Sequence, residues 1–182
     1  CALPILTFPT ADHTWVYDLS TQLWHERAWM DTNGALHRHR ANCVAFAYGK
    51  TICGDWQNGK LYNWDLHAYT DAGDPIIKLR SFPHLVNSLD RISYKQFMAD
   101  IEVGTDIDPA DDPMLSLRWS DNRGVSFGNV VQQSLGQTGE YKTIPSWNRL
   151  GFARDRVFEL SWTAAAATAL NGAFIDVEKM ET

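Results

Sequence analysis

Apolar residues in this chain recur at every second position. That alternation constrains the fold most, because only an extended strand turns alternate side chains to one face. Leu115, Leu117 and Trp119 alternate with Met114, Ser116 and Arg118, and Phe158, Leu160 and Trp162 with Val157, Glu159 and Ser161. Phe97, Ala99, Ile101 and Val103 alternate with Met98, Asp100 and Glu102. Ala173, Ile175 and Val177 alternate with Phe174, Asp176 and Glu178. Between such runs, Asn33-Gly34, Asn58-Gly59 and Asn171-Gly172 read as turns, where glycine reaches positive φ without steric cost. Ser88–Asp100 is the best candidate for a helix, and strand alternation fits it better. The pattern predicts an all-β protein.

The two halves differ in texture. From Pro4 to Pro83 the predicted strands are short and the turns tight. Cys43–Tyr48, Thr51–Trp56, Leu61–Leu66 and Ile76–Phe82 read as four consecutive antiparallel strands, the layout of a β-propeller blade. Thr14–Leu19 and Leu23–Glu26 supply another hairpin. A closed propeller needs about four to eight blades of roughly 40–45 residues, so partial β-propeller blades are expected over residues 1–88. Over 89–182 the strands are more widely spaced, with longer loops at Thr105–Pro113 and Gly128–Tyr141. This predicts a β-sandwich or jelly-roll-like module, with the boundary near Asn87–Arg91.

Composition excludes several classes. With 182 residues, 45% of them hydrophobic and eight tryptophans, the chain can bury a core and is not a disordered one. The alanine-rich stretch Thr163–Phe174 is too short to span a bilayer and is predicted to contain a surface loop. No membrane association is expected. No basic stretch followed by an apolar segment opens the chain, so no secretory signal is read. The numbering opens at Cys1 within structured-looking sequence, which predicts a fragment or a processed product. A net charge of −6 argues against a general nucleic-acid binder and leaves local DNA contact open. Cys1, Cys43 and Cys53 show no CxxC spacing, so neither a disulfide framework nor a zinc site is expected. A hairpin turn at Gly49-Lys50 would set Tyr48 opposite Thr51 and Cys43 opposite Trp56, and all three thiols are predicted to be reduced.

Each chemically suggestive cluster also has a plainer reading. Ser120-Asp121-Asn122-Arg123-Gly124-Val125-Ser126-Phe127 resembles the Asp-box turn of sialidases, S-x-D-x-G-x-T-W, with Asn122, Ser126 and Phe127 replacing the Asp, Thr and Trp. Side-chain-to-backbone hydrogen bonds would close that hairpin tip, with Gly124 at the tight position and Phe127 plugging the core. In sialidases such a turn lies away from the active centre, so the resemblance implies a structural role. Asp100/Glu102 and Asp176/Glu178 could pair as glycosidase carboxylates, but their alternation assigns them to a solvated face. Arg149, Arg154 and Arg156 are close in sequence, with no tyrosine tied to them. Asp106, Asp108, Asp111 and Asp112 invite a calcium reading, yet Ala110 and Asp111 break the EF-hand pattern and a solvated loop is preferred. His37-Arg38-His39-Arg40 is the only basic run, able to meet phosphate or an acidic partner. No GxSxG elbow, Walker loop or dinucleotide fingerprint occurs. The expectation is no enzyme, with no catalytic, cofactor-binding or metal residues and no cofactor.

Several ordered phrases resemble the phage stabilisation proteins, the tail-hub and head-completion factors of short-tailed phages. They are Trp24-His25-Glu26-Arg27-Ala28, His39-Arg40-Ala41-Asn42-Cys43 and Gly54-Asp55-Trp56-Gln57-Asn58-Gly59-Lys60-Leu61-Tyr62. Arg80-Ser81-Phe82-Pro83-His84-Leu85 and Leu117-Arg118-Trp119-Ser120-Asp121 follow. Trp147-Asn148-Arg149-Leu150-Gly151, Ala153-Arg154-Asp155-Arg156-Val157-Phe158-Glu159-Leu160 and Ala169-Leu170-Asn171-Gly172-Ala173 complete the set. The resemblance spans nearly the whole chain, as the C-terminal part of a longer member. It implies a structural protein of a phage or prophage tail or neck. Such a protein closes the portal channel and stabilises packaged DNA while joining the portal and adaptor proteins to the tail needle. It further implies a homo-oligomeric ring in the virion, assembled in the bacterial host cytoplasm, with local contact to packaged DNA left open. The alternative is a carbohydrate-binding or sialidase-like Asp-box β-protein; a prophage remnant without a partner is a third reading.

Overall fold

The computed structural model describes residues 4–103, 112–136 and 143–180. Among them every regular element is a strand and none is a helix, so the all-β expectation holds. The chain divides into two compact units, Cys1–Ile76 and Ile77–Thr182.

The first unit is a series of small antiparallel sheets. β1 (Ile5–Phe8), β2 (His13–Asp18) and β3 (Leu23–Glu26) form one of them, and β4 (Ala28–Met30) and β5 (Leu36–Arg38) a second. β6 (Ala41–Ala47), β7 (Lys50–Asp55) and β8 (Leu61–Asn63) form a third; β9 (Thr70–Asp71) and β10 (Asp74–Pro75) pair alone. Among its described residues, the buried apolar side chains are those of Val16 and Cys53. The unit therefore cannot be held by an aliphatic core of ordinary size.

Two expectations for this region are corrected. The β6–β7 hairpin pairs Ala47 with Lys50 and Val44 with Cys53, so its loop is Tyr48-Gly49 and not Gly49-Lys50. Both loop residues have positive φ, 53° and 73°, which a two-residue hairpin loop of this hand requires; moving the loop on by one would force Lys50 into that region. Cys43 thus faces Gly54 rather than Trp56, and Cys43 and Cys53 are free thiols on opposite faces of the pair. Cys1 lies outside the described residues. The strand expected to complete a four-stranded blade, within Ile76–Phe82, is β11 (Lys78–Ser81). It pairs not with β8 but with a strand of the second unit some eighty residues on.

That second unit is a sandwich of two antiparallel sheets. The first sheet runs β11, β18 (Asp155–Trp162), β14 (Met114–Ser120), β15 (Val131–Ser134), with β12 (Leu85–Val86) also on β18. The second is built on β13 (Ile92–Val103), flanked by β16 (Ser146–Asn148) and β17 (Phe152–Ala153) on one edge and β19 (Thr168–Lys179) on the other. Leu115, Leu117, Phe158 and Leu160 face Tyr94, Phe97, Ala99 and Ile101, with Trp147 and Leu150 at the margin. Ring centroids of Phe97 and Phe158 lie 5.0 Å apart, and Tyr94 meets Phe158 edge-on at 5.7 Å. Such pairs add to the burial of the rings themselves.

Bulges set which residues face inward. Between Tyr94 and Gln96 the ladder shifts register, so Ile92 and Tyr94 are buried on one parity and Phe97, Ala99 and Ile101 on the other. A second shift opposes Asp100 with Gly172 and Ile101 with Leu170. Asn171-Gly172, expected as a turn, is therefore a bulge inside a continuous strand. A glycine in a strand marks a bulge as readily as a turn.

Candidate functional site

The Asp-box-like segment forms a tip closed by its own side chains. Ser120 ends β14 with its hydroxyl fully buried, accepting from the Gly124 amide at 2.9 Å and donating to Asn122 Oδ1 at 2.7 Å. Asn122 Oδ1 accepts from the Ser126 amide at 2.9 Å, and its Nδ2 donates to the Ser126 hydroxyl at 2.7 Å. Arg123 and Gly124 both have positive φ, 63° and 83°. Asn122 and Ser126 thus do the hydrogen bonding expected of the Asp and Thr they replace. Phe127 differs: it is half-buried, under the Arg118 guanidinium at 4.6 Å, and does not fill the core.

Asp121, beside that tip, holds the one arginine that enters the sandwich. Arg156 is 3% exposed in its side chain and makes a two-pronged ion pair with Asp121, at 2.6 and 2.8 Å. Its third nitrogen donates to the Leu150 carbonyl at 2.6 Å. The guanidinium plane sits 4.5 Å from the Tyr94 ring, 5.3 Å from Trp119 and 5.7 Å from Phe158. Arg156 therefore joins the turn, one sheet and the facing sheet through a single planar cation. On the outer face of β18, Glu159 is buried and accepts from Arg118 Nε at 2.5 Å and from the Ser81 hydroxyl at 2.8 Å.

The basic run of the first unit is spent internally. Arg38 stacks on Trp56 at 4.2 Å and Arg40 on Trp29 at 4.4 Å, while Arg40 also reaches Asp74 at 3.1 Å and Asp71 at 3.8 Å. His37 bonds Asp12 at 2.7 Å and approaches Asp31 at 3.5 Å. The Asp12 hydrogen bond, set against partial burial, holds the His37 pKa above 6.5. His39 stacks on Trp64 at 5.3 Å, with Arg27 against the same indole at 5.4 Å. Aromatic faces and four aspartates thus take the contacts this run offered to phosphate.

The remaining candidates disperse. Asp100, Glu102, Asp176 and Glu178 are all exposed on the outer face of their sheet. Glu178 pairs with Lys95 at 2.7 Å, which lowers the carboxyl pKa and raises that of the amine. Arg149 is exposed, Arg154 donates to the Leu89 carbonyl, and only Arg156 meets a tyrosine. That tyrosine, Tyr94, is 1% exposed, donates to the Leu85 carbonyl at 3.2 Å and has its pKa pushed up by burial, all unsuited to a nucleophile. Asp106, Asp108 and Asp111 lie outside the described residues; Asp112 accepts from the Ser134 hydroxyl at 2.5 Å. Among the described residues no three His, Cys, Asp or Glu side chains converge as a metal site would require. No described helix is long and apolar enough to cross a membrane. Sequence reasoning missed Arg156 as a core residue, because its partner Asp121 is 35 residues away and no local pattern links them.

Fold and polar contacts together define a class: an antiparallel β-sandwich whose charged side chains bind its own strands and turns. The chain belongs to the family described as Bacteriophage P22 Gp10, beta-sandwich, whose model matches residues 79–178. It is accordingly a phage structural protein and a component of the virion, and the resemblance to phage stabilisation proteins is upheld. The match begins within β11, the strand that the pairing assigns to the sandwich. No curated protein matches the chain.

Proposed function

We propose that this protein works in the tail or neck of a phage or prophage particle, closing the portal channel after packaging and joining the portal and adaptor proteins to the tail needle. The carrying observation is the family match over the sandwich, in a chain whose charged clusters are turned inward to hold strands. Such a module presents rigid surfaces and performs no chemistry. Copies assemble as a ring in the host cytoplasm through heterologous contacts, one patch meeting a different patch on the next copy. The acidic balance, −6, keeps free copies apart before a portal templates them. It also suits a plug for DNA: a negative surface blocks the path of the duplex without gripping it, and the basic run that could have gripped is already paired.

The test is co-sedimentation of the full-length protein with portal–adaptor complex, followed by nuclease challenge of filled heads. Association as a ring and protection of the DNA are expected. Absence of association, together with specific binding of the same protein to a glycan array, would replace this reading with the carbohydrate-binding one.

A further inference from the structure

His39, in the first unit, has its tautomer set by a backbone amide. The Ala41 amide donates to His39 Nδ1 at 3.2 Å. A backbone amide can only donate, so Nδ1 is the bare nitrogen and the ring hydrogen sits on Nε2. The rest of the residue is equally engaged. Its own amide donates to the Thr14 hydroxyl at 3.1 Å, its carbonyl accepts from Trp56 Nε1 at 3.2 Å, and its ring stacks on Trp64. His39 thereby ties β2, the β5–β6 joint and the segments after β7 and β8 together.

We propose that His39 is an acid-release latch: the first unit closes around the neutral imidazole, and a proton taken from water at Nδ1 opens it. The proton displaces the Ala41 hydrogen bond, because two hydrogens cannot share that lone pair. It also adds a cation beside Arg27, with Arg38 and Arg40 flanking in sequence. Asp71 and Asp55 are the charges that act the other way. Burial first and Arg27 second outweigh them and hold the His39 pKa below 6.5. The unfolded chain then binds a proton that the folded unit refuses, so stability is full above 6.5 and falls as pH drops below it. The fall approaches about tenfold in the unfolding constant per pH unit until the folded pKa is passed. His37 acts oppositely. Held by Asp12 and Asp31, its pKa is raised, and its contribution is full below 6.5 and lost as pH rises through the folded value.

The experiment uses the whole chain and separates the two histidines. In His37→Gln, the protection factor of the Ala41 amide against hydrogen exchange, read by NMR, should drop between pH 7.5 and 5.5. In His37→Gln/His39→Asn, where the asparagine oxygen can take the place of Nδ1 without titrating, the drop should disappear. Equal drops in both variants would overturn the latch. The unmodified chain gives a second reading that does not depend on the variants folding. Its His39 ring should titrate below 6.5 with the hydrogen on Nε2 at neutral pH. A hydrogen on Nδ1, or a pKa at or above 6.5, would overturn it equally.

Discussion

Asn122, Gly124 and Arg156 show how single residues carry this fold. A Cβ at Gly124 would meet nothing within 4 Å, so space is not its reason; φ of 83° is. Gly124→Val should destabilise the second unit by about 1–3 kcal/mol through backbone strain alone, and Gly124→Asn by much less, since asparagine tolerates that region. Urea titration of both variants checks this, and equal stability of valine and wild type would remove the turn assignment. Arg156 depends on Asp121 in a different way. Asp121→Ala leaves a buried cation with one carbonyl and three aromatic faces. The expected loss is about 2–3 kcal/mol, below the value for a fully buried pair because Asp121 itself is 46% exposed in its side chain. A double change that also replaces Arg156 by methionine should recover part of the loss, since the uncompensated charge goes with it.

At the scale of elements, alternation located most strands correctly, because period two is a local property. Leu115, Leu117 and Trp119 face inward as read, and so do Phe158, Leu160 and Trp162. What alternation could not reveal is where the ladder slips. The bulges at Lys95 and Asn171 preserve each side's parity over a few residues and change it beyond, and only the opposing strand fixes their position. Partner choice was equally hidden: Lys78–Ser81 carries nothing local that marks Leu160 and Glu159 as its neighbours. The Asp-box-like tip was legible because all its bonds close within Ser120–Ser126, whereas the Arg156–Asp121 and His39–Thr14 contacts join residues distant in sequence. These slips give a deletion test. Removing Asn171 leaves Leu170 and Ala173 inward on a regular ladder and should keep the unit folded. Removing Ser161 from unbulged β18 turns Trp162 out of the core and should cost at least about 3 kcal/mol. Comparable losses for both deletions, by thermal denaturation, would contradict the bulge at Asn171.

At the scale of the whole molecule, the two units are held by different physics. The second has a continuous aromatic and aliphatic core that begins at Ile92. The first, among its described residues, buries two apolar side chains and relies on indole–guanidinium stacks and carboxylate pairs. Residues 77–182 produced alone should therefore unfold cooperatively in urea, while residues 1–76 alone should show at most a shallow transition. A sharp transition for the shorter piece would mean that the stacked clasp is stronger than its small apolar burial suggests.

The clasp has one more effect. Arg27, Arg38 and Arg40 are three sites at which trypsin would cut, and all three lie half-buried against tryptophan rings. Each side chain is held against a ring, so digestion there should be paced by opening of the unit and not by the abundance of cleavable bonds. The same stacks that substitute for a core thus shield three cleavable bonds from an enzyme waiting outside.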